Sequence, residues 1–131
     1  MSEQATPTER KLTSETTELL HQRVSVRSYA DEPVDDATVD AVLAAAFRAP
    51  TSSNIQSYSV IVVRDQATKD ALSVVTGGQK HVARTPVFLA FCADLTRMEL
   101  AKQSYGGNLD DNNLEMGLVS SIDASLVGMS A

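Results

Sequence analysis

The chain has 131 residues, 43% of them apolar, so its length and composition suit one domain with a modest core rather than wholesale disorder. Its formal net charge of −6 argues against a general nucleic-acid or anionic-membrane binder, because both partners are polyanions that need a basic face. The single cysteine excludes an internal disulfide, and no apolar run reaches the ~18 residues that indicate a membrane span. We therefore expect a reducing, cytoplasmic compartment.

A short helix is predicted near the N-terminus. Ser14 or Thr13 can cap a helix over Glu15–His21, with Leu19 and Leu20 on its buried side.

The clearest predicted element is a helix that follows Asp35 or Asp36, either of which can cap it. Its apolar residues recur at helical spacing at Val39, Val42, Leu43, Ala46 and Phe47. Pro50 ends this helix because it lacks a backbone donor. After a polar loop, the β-branched run within Tyr58–Arg64 is typical of a buried strand.

A second helix and a second strand are predicted in the middle of the chain. Asp65 can cap a helix that runs to about Thr76, and Gly77-Gly78 is a plausible stop. The residues predicted to face inward are Ala71, Leu72 and Val75. The apolar run Val87–Ala93 predicts another strand, after which Asp94 can cap a further short helix.

The last segment, from about Leu109, is predicted to be helical and carries an apolar stripe. Its members, at helical spacing, are Leu118, Val119, Ile122 and Leu126. Such a stripe needs a covering surface, which is either a continuation of the chain or a partner. Helices that alternate with two buried strands indicate an α/β or α+β fold.

The segment Arg23–Tyr29 alternates polar and apolar residues, which predicts an extended stretch with one polar face. Arg23, Ser25 and Arg27 are two residues apart and would face the same side. Arginine offers a planar fork of donors suited to a phosphate dianion. An ordinary solvated strand face explains the same pattern.

Two polar loops could bind a ligand. The loop Thr51–Gln56 offers hydroxyls, amides and backbone N–H groups suited to a polar heterocycle, and it could equally be a surface connection. The stretch Gly77–His81 allows close backbone approach at its glycines, and Gln79 can donate and accept; a helix stop with a polar linker is the alternative. Cys92 lies inside an apolar strand, so a hydrolase nucleophile is not predicted.

Together these segments resemble the nitroreductase (flavin reductase) family. The resemblance is carried by the segment Arg23–Tyr29 followed by Asp31–Val34, by Arg48–Gln56, and by Thr76–Ala83 followed by Phe91–Asp94. The last of these is similar in particular to the NADPH-dependent, oxygen-insensitive branch. The resemblance implies an α+β sandwich with a central sheet flanked by helices. The polar, mixed-charge N-terminus predicts residues 1–13 as a flexible extension, and the resemblance implies 14–131 as the N-terminal part of the domain.

The resemblance also implies a chemistry and a site. NADPH would reduce a bound FMN, which would then pass two electrons to a nitroaromatic, a quinone or a flavin in a ping-pong cycle, without a metal or a catalytic triad. The positions that match the family's cofactor-binding residues are Arg23, Val24, Ser25, Arg27, Thr51 and Gln79, with Ser52 and Ser53 flanking and His81 a weaker candidate. Many relatives have a basic residue where this chain has Val24.

Family members are roughly twice this long. The resemblance therefore implies that the chain ends before the second half of its flavin site and before the elements that contact a partner subunit. A homodimer is implied for the longer form. We therefore expect this chain to bind FMN poorly and to expose its last helix around Leu118–Leu126. The alternative is a non-catalytic α/β fragment or interaction module that docks a partner through that helix.

Overall fold

The structure, a computed structural model, describes residues 13–110 and 113–131, so all of the predicted flexible extension except Thr13 lies outside the described residues. The helices are α1 (Glu15–Gln22), α2 (Asp36–Ala46), α3 (Gln66–Val75), α4 (Lys80–Arg84), α5 (Thr96–Ser104) and α6 (Leu114–Ser130). The strands are β1 (Tyr58–Val63) and β2 (Phe88–Ala93). Within the described ranges, no helix is both long and apolar enough to cross a membrane.

Side-chain caps begin four of the described helices, three of them at residues that the sequence predicts and the fourth, α6, at Asn113. The Ser14 hydroxyl accepts the Thr17 N–H at 3.2 Å at the start of α1. Asp35 accepts a backbone N–H at 2.7 Å at the start of α2, and Asp65 does the same for α3 at 2.7 Å. Each cap satisfies an N–H group that has no partner inside the helix, which explains why these helices begin where they do.

The two strands form an antiparallel pair in the register Tyr58↔Ala93 to Val63↔Phe88. Helices α3 and α4 connect them and pack against each other. Helix α3 stops at Gly77 and Gly78, whose φ angles of 85° and 75° lie in the left-handed region that glycine adopts without strain. The Gly78 N–H then donates to the carbonyl of Ser73 at 2.9 Å, so the predicted glycine stop is confirmed.

The core lies where α6 crosses the sheet and meets α2. Its buried members are Ala46, Tyr58, Ala124 and Val127, with Ala49, Val60 and Phe91 packed against them. Most of these side chains are small, which lets the backbone of α6 approach the strands closely. At Gly128 an added Cβ would come within 3.3 Å of the Phe91 ring, so this contact has little spare room.

Burial differs from the sequence prediction at several apolar positions. Leu19 and Leu20 are 70% and 56% exposed, so their predicted burial is wrong. Ala71 and Val75 also face outward, Val75 with 79% of its surface exposed. Helical spacing locates a face, but only a packed neighbour buries it, and none of the described residues covers these positions.

The expected exposure of the last helix is confirmed. Leu118 and Ile122 are 53% and 56% exposed, and Leu126 is 39% exposed. The face of α6 that is buried instead consists of Ser120, Asp123, Ala124 and Val127. The α+β fold is confirmed as well, with helices packed on an antiparallel sheet.

Replacing Val127 with alanine should test the α6 contact. Val127 is fully buried, so the loss of two methyl groups and the cavity left behind should lower the free energy of unfolding by about 2 kcal/mol. Urea denaturation of the variant measures this change. The matched control is Val74→Ala, at a helix position 74% exposed, which should change stability by less than about 0.5 kcal/mol. Equal effects of the two substitutions would contradict the packing described here.

Candidate functional site

The loop 51–57, which joins α2 to β1, is held by a carboxylate from α6. Asp123 is 1% exposed and accepts three hydrogen bonds from this loop. The Ser52 N–H donates to Oδ1 at 3.0 Å, and the Ser57 N–H and hydroxyl donate to Oδ2 at 3.3 and 2.8 Å. Hydrogen bonds to a charged acceptor are among the stronger ones in proteins, so this cluster can fix both ends of the loop.

The loop between these anchor points has an unusual backbone. Ser53, Asn54 and Gln56 have φ angles of 49°, 55° and 55°, in the left-handed region that side-chain-bearing residues rarely adopt. Each such residue costs on the order of 1 kcal/mol, and Asn the least. Three bonds to a carboxylate at roughly 1.5–3 kcal/mol each are enough to offset that strain. Conformations of this kind persist where the surroundings enforce them, and they cluster at binding sites.

A second side chain holds the far end of the loop. Arg97, on α5, donates from Nη1 to the Gln56 side-chain oxygen at 2.8 Å and from Nη2 to the Tyr58 carbonyl at 3.2 Å. Its guanidinium carbon also lies 5.8 Å from the centre of the Tyr58 ring, on which Phe47, the residue after α2, stacks with a centroid distance of 6.1 Å. Helices α2 and α5 therefore both contribute to the frame around the loop.

Asp94 links the end of β2 to the same frame. Its N–H donates to the Ser57 carbonyl at 3.1 Å, and its carboxylate accepts the Thr96 N–H at 2.9 Å. The N-cap position of α5 is Leu95, so the prediction of Asp94 as the cap is wrong by one residue, although Asp94 binds the first N–H of the helix. The Ser59 hydroxyl also donates to this carboxylate. The hydrogen bond from Ser59, followed by those from the Thr96 side chain and backbone, lowers the pKa of Asp94 to about 2.

The predicted phosphate-binding segment lies outside the two strands as an extended, unpaired stretch. Arg27 lines an open polar cavity of about 600 Å³ together with Gln66 and Arg84. Arg23 lines a different cavity, of about 480 Å³, beside Met129 at the end of α6. The structure thus brings Arg27 together with Arg84 but does not bring it together with Arg23.

The other predicted site residues are dispersed. Val24 is 71% exposed and Ser25 is exposed, both on the same extended segment. Thr51 is half-buried at the start of the loop, and its hydroxyl makes no capping bond. Gln79 precedes α4, and its side-chain amide donates to the Thr76 carbonyl at 2.9 Å. Thr51 and Gln79 line neither of the two cavities, and the cofactor-binding role of all these residues stays a prediction.

The remaining candidates lie beside these residues. Ser52 and Ser53 belong to the 3-10 turn Ser52–Asn54 within the loop, where Ser52 supplies the N–H bound by Asp123. His81 is half-buried in α4.

Sequence reasoning missed Asp123, Arg97 and Arg84. Asp123 had a usable signal, because it is the only charged residue between Met116 and Ala131. A lone carboxylate in such a helix is seldom buried without hydrogen-bond partners. Arg84 and Arg97 carried no comparable signal, since surface arginines are common and only the tertiary arrangement sets them beside the cavity and the loop.

The fold and the sequence agree on a family. Residues 20–117 match the family model described as Nitroreductase family. NfrA2 of B. megaterium superimposes with a TM-score of 0.87 at 32% identity, over 90% of this chain and 48% of that one. The chain belongs to the nitroreductase family.

Two curated relatives show which named enzymes of the family the chain is similar to. The chain is 48% identical over 84 residues to the oxygen-insensitive NADPH nitroreductase of Salmonella typhimurium, covering 64% of this chain and 35% of that protein. It is 40% identical over 108 residues to the FMN reductase [NAD(P)H] of Bacillus subtilis, covering 78% of this chain and 42% of that protein. The chain therefore spans less than half the length of each.

Replacing Ser59 with alanine should raise the pKa of Asp94 from about 2 towards its ordinary value of 3.8, because the largest cause of the lowered pKa is removed. With Ser59 present, Asp94 contributes stability above its ordinary pKa and loses that contribution as the pH falls through about 2. In the variant, this acid-dependent contribution should shrink. The side-chain carboxyl 13C shift of Asp94, followed by NMR against pH, measures the change.

The matched control for this titration is Ser121→Ala, which removes an exposed hydroxyl on α6 and should leave the pKa of Asp94 at about 2. An unchanged Asp94 titration in the Ser59 variant would refute the assigned cause.

Proposed function

We propose that the protein from which this chain comes is an FMN-dependent NAD(P)H oxidoreductase, for which NADPH is the expected electron donor. The observation that carries the proposal is the 40% identity over 108 residues to a relative named FMN reductase [NAD(P)H]. The relative named oxygen-insensitive NADPH nitroreductase supports the same activity and the choice of NADPH.

The residues around the Arg27 cavity fit the charged end of FMN. Arg27 and Arg84 line one polar cavity, together with Asp31, and guanidinium groups bind phosphate oxygens through paired hydrogen bonds. In this proposal Arg27 holds the phosphate, and Arg23, Val24 and Ser25 contribute along the same segment.

The loop 51–57 and Gln79 would hold the uncharged parts of the cofactor. Thr51 offers a hydroxyl without a capping bond, and the left-handed backbone at Ser53 and Gln56 is a kind of conformation that clusters at binding sites. Gln79 would contribute its remaining donor and acceptor capacity to the flavin or its ribityl chain.

Bound FMN would supply the two-electron redox chemistry, and the protein would supply binding, orientation and electrostatics. We propose that NADPH and the acceptor bind in turn, in a ping-pong cycle, and that the acceptor is a nitroaromatic, a quinone or a flavin. Residues 14–131 would then be the N-terminal part of the catalytic domain, preceded by a flexible extension at 1–13. The longer protein would be a cytoplasmic homodimer.

One observation favours a second candidate function. The exposed face of α6 presents a continuous apolar stripe, whose members are Leu114, Leu118, Ile122, Leu126 and Met129. Contiguous apolar surface of this kind marks interaction sites, so a non-catalytic interaction module would also explain it. The same stripe is what a family member would bury against its own later elements or its partner subunit, and cofactor binding discriminates between the two.

Two assays test the proposal on this chain and on any longer form encoded in the same reading frame. One is a titration with FMN, monitored by flavin fluorescence, and the other measures NADPH oxidation. We expect FMN binding and NADPH oxidation in the longer form and weak or no binding in the 131-residue chain. Absence of both from every form would refute the proposal in favour of the interaction module.

Replacing Arg27 with alanine in the form that binds FMN should raise the Kd at least tenfold, because a charged hydrogen bond to phosphate is worth about 1.5–3 kcal/mol. The matched control is Arg64→Ala. Arg64 pairs with Asp36 at 2.8 Å and does not line the Arg27 cavity, so its loss should leave the Kd for FMN within about twofold. Equal effects of the two substitutions would remove Arg27 from the phosphate site.

A further inference from the structure

The loop 51–57 depends on a residue that comes far later in the chain. Asp123 follows its partners Ser52 and Ser57 by 71 and 66 residues, yet it binds near the start and at the end of the loop. With 1% of its surface exposed and both oxygens engaged, its carboxylate is directed at the loop rather than at solvent.

The loop's own hydrogen bonds are short-range and few. The Asn54 N–H donates to the Thr51 carbonyl at 3.3 Å, and the Ile55 N–H donates to the Ser52 carbonyl at 2.9 Å. Neither bond spans from one anchor of the loop to the other. Two other long-range contacts described above lie at the far end of the loop. Arg97 is exposed to solvent, which weakens its hold, and the Asp94 N–H binds only the Ser57 carbonyl, so neither reaches the start of the loop at Ser52. The left-handed backbone at Ser53 and Gln56 therefore depends chiefly on the buried carboxylate.

We infer that Asp123 is a positioning residue for the cofactor: its carboxylate holds the loop 51–57 in the conformation that presents Thr51 and the neighbouring backbone to the flavin. The inference rests on the proposed function, because it assigns the loop to the flavin site. Asp123 does not touch the cofactor in this role and acts through Ser52 and Ser57. A buried anchor on a helix fixes a binding loop more rigidly than contacts within the loop can.

Asp123→Asn is the sharpest test, because it preserves size and shape. The amide keeps one oxygen for the Ser52 N–H, but its NH2 group cannot accept from the Ser57 N–H. The control is Val127→Ala, one turn further along the same buried face of α6, which weakens packing and leaves the carboxylate in place. Ser57→Ala removes only the hydroxyl bond and serves as a milder second variant.

Two measurements are needed. The first is amide hydrogen exchange at Ser52 and Ser57 in the 131-residue chain without cofactor, with rates referred to residues in β1 to correct for global stability. The second is the Kd for FMN in the form that binds it. For Asp123→Asn we expect at least tenfold faster relative exchange at these amides and at least tenfold weaker FMN binding. Ser57→Ala should show about threefold effects in the same direction, and Val127→Ala neither.

Each result decides the inference. Faster loop exchange together with weaker FMN binding, absent from Val127→Ala, supports it. Loop exchange in Asp123→Asn that matches Val127→Ala overturns it, and so does faster exchange with an unchanged Kd. If Asp123→Asn does not fold, Ser57→Ala decides by the same two measurements. If the unsubstituted protein does not bind FMN, the proposed function itself fails, and this outcome is recognisable because it precedes any substitution.

Discussion

The hydrogen bonding of one buried carboxylate ties the last helix, α6, to the loop 51–57. Asp123 lies on the face of α6 that packs against the sheet, and a charge there is tolerated only because donors surround it. Ser52 and Ser57 supply those donors, so the position of α6 and the path of the loop 51–57 are coupled. A shift of the helix would leave a buried charge without partners, and a change in the loop would do the same.

The apolar contacts around this cluster are short because the side chains are small. Ala46 from α2 and Ala124 from α6 are both nearly fully buried, and Tyr58 closes the space between them. Gly128 lies against the Phe91 ring, where an added Cβ would come within 3.3 Å of the ring. Small residues bury less apolar area than leucine or phenylalanine. This core is therefore stabilised by the close approach of its backbones and by the hydrogen bonds of Asp123 more than by large buried side chains.

Several apolar residues are exposed although the sequence pattern predicts that they are buried. Ile61 and Val62 in β1 are 54% and 39% exposed, although their β-branched run is typical of a buried strand. Helix α6 also exposes apolar side chains: its buried face includes the polar residues Ser120 and Asp123, and its exposed face is apolar. The chain spans 48% of the NfrA2 chain of B. megaterium, on which it superimposes.

Local chemistry in the sequence determined where the elements begin and end. Ser14, Asp35 and Asp65 cap helices within three residues of themselves, and Gly77-Gly78 ends α3, so these features need no distant partner. The family resemblance over ordered motifs likewise needed only the sequence. Only the tertiary structure decided which faces are buried, that Arg27 shares a cavity with Arg84 rather than with Arg23, and that Asp123 holds the loop 51–57. Those outcomes depend on contacts between residues up to 71 positions apart, which spacing along the chain does not encode.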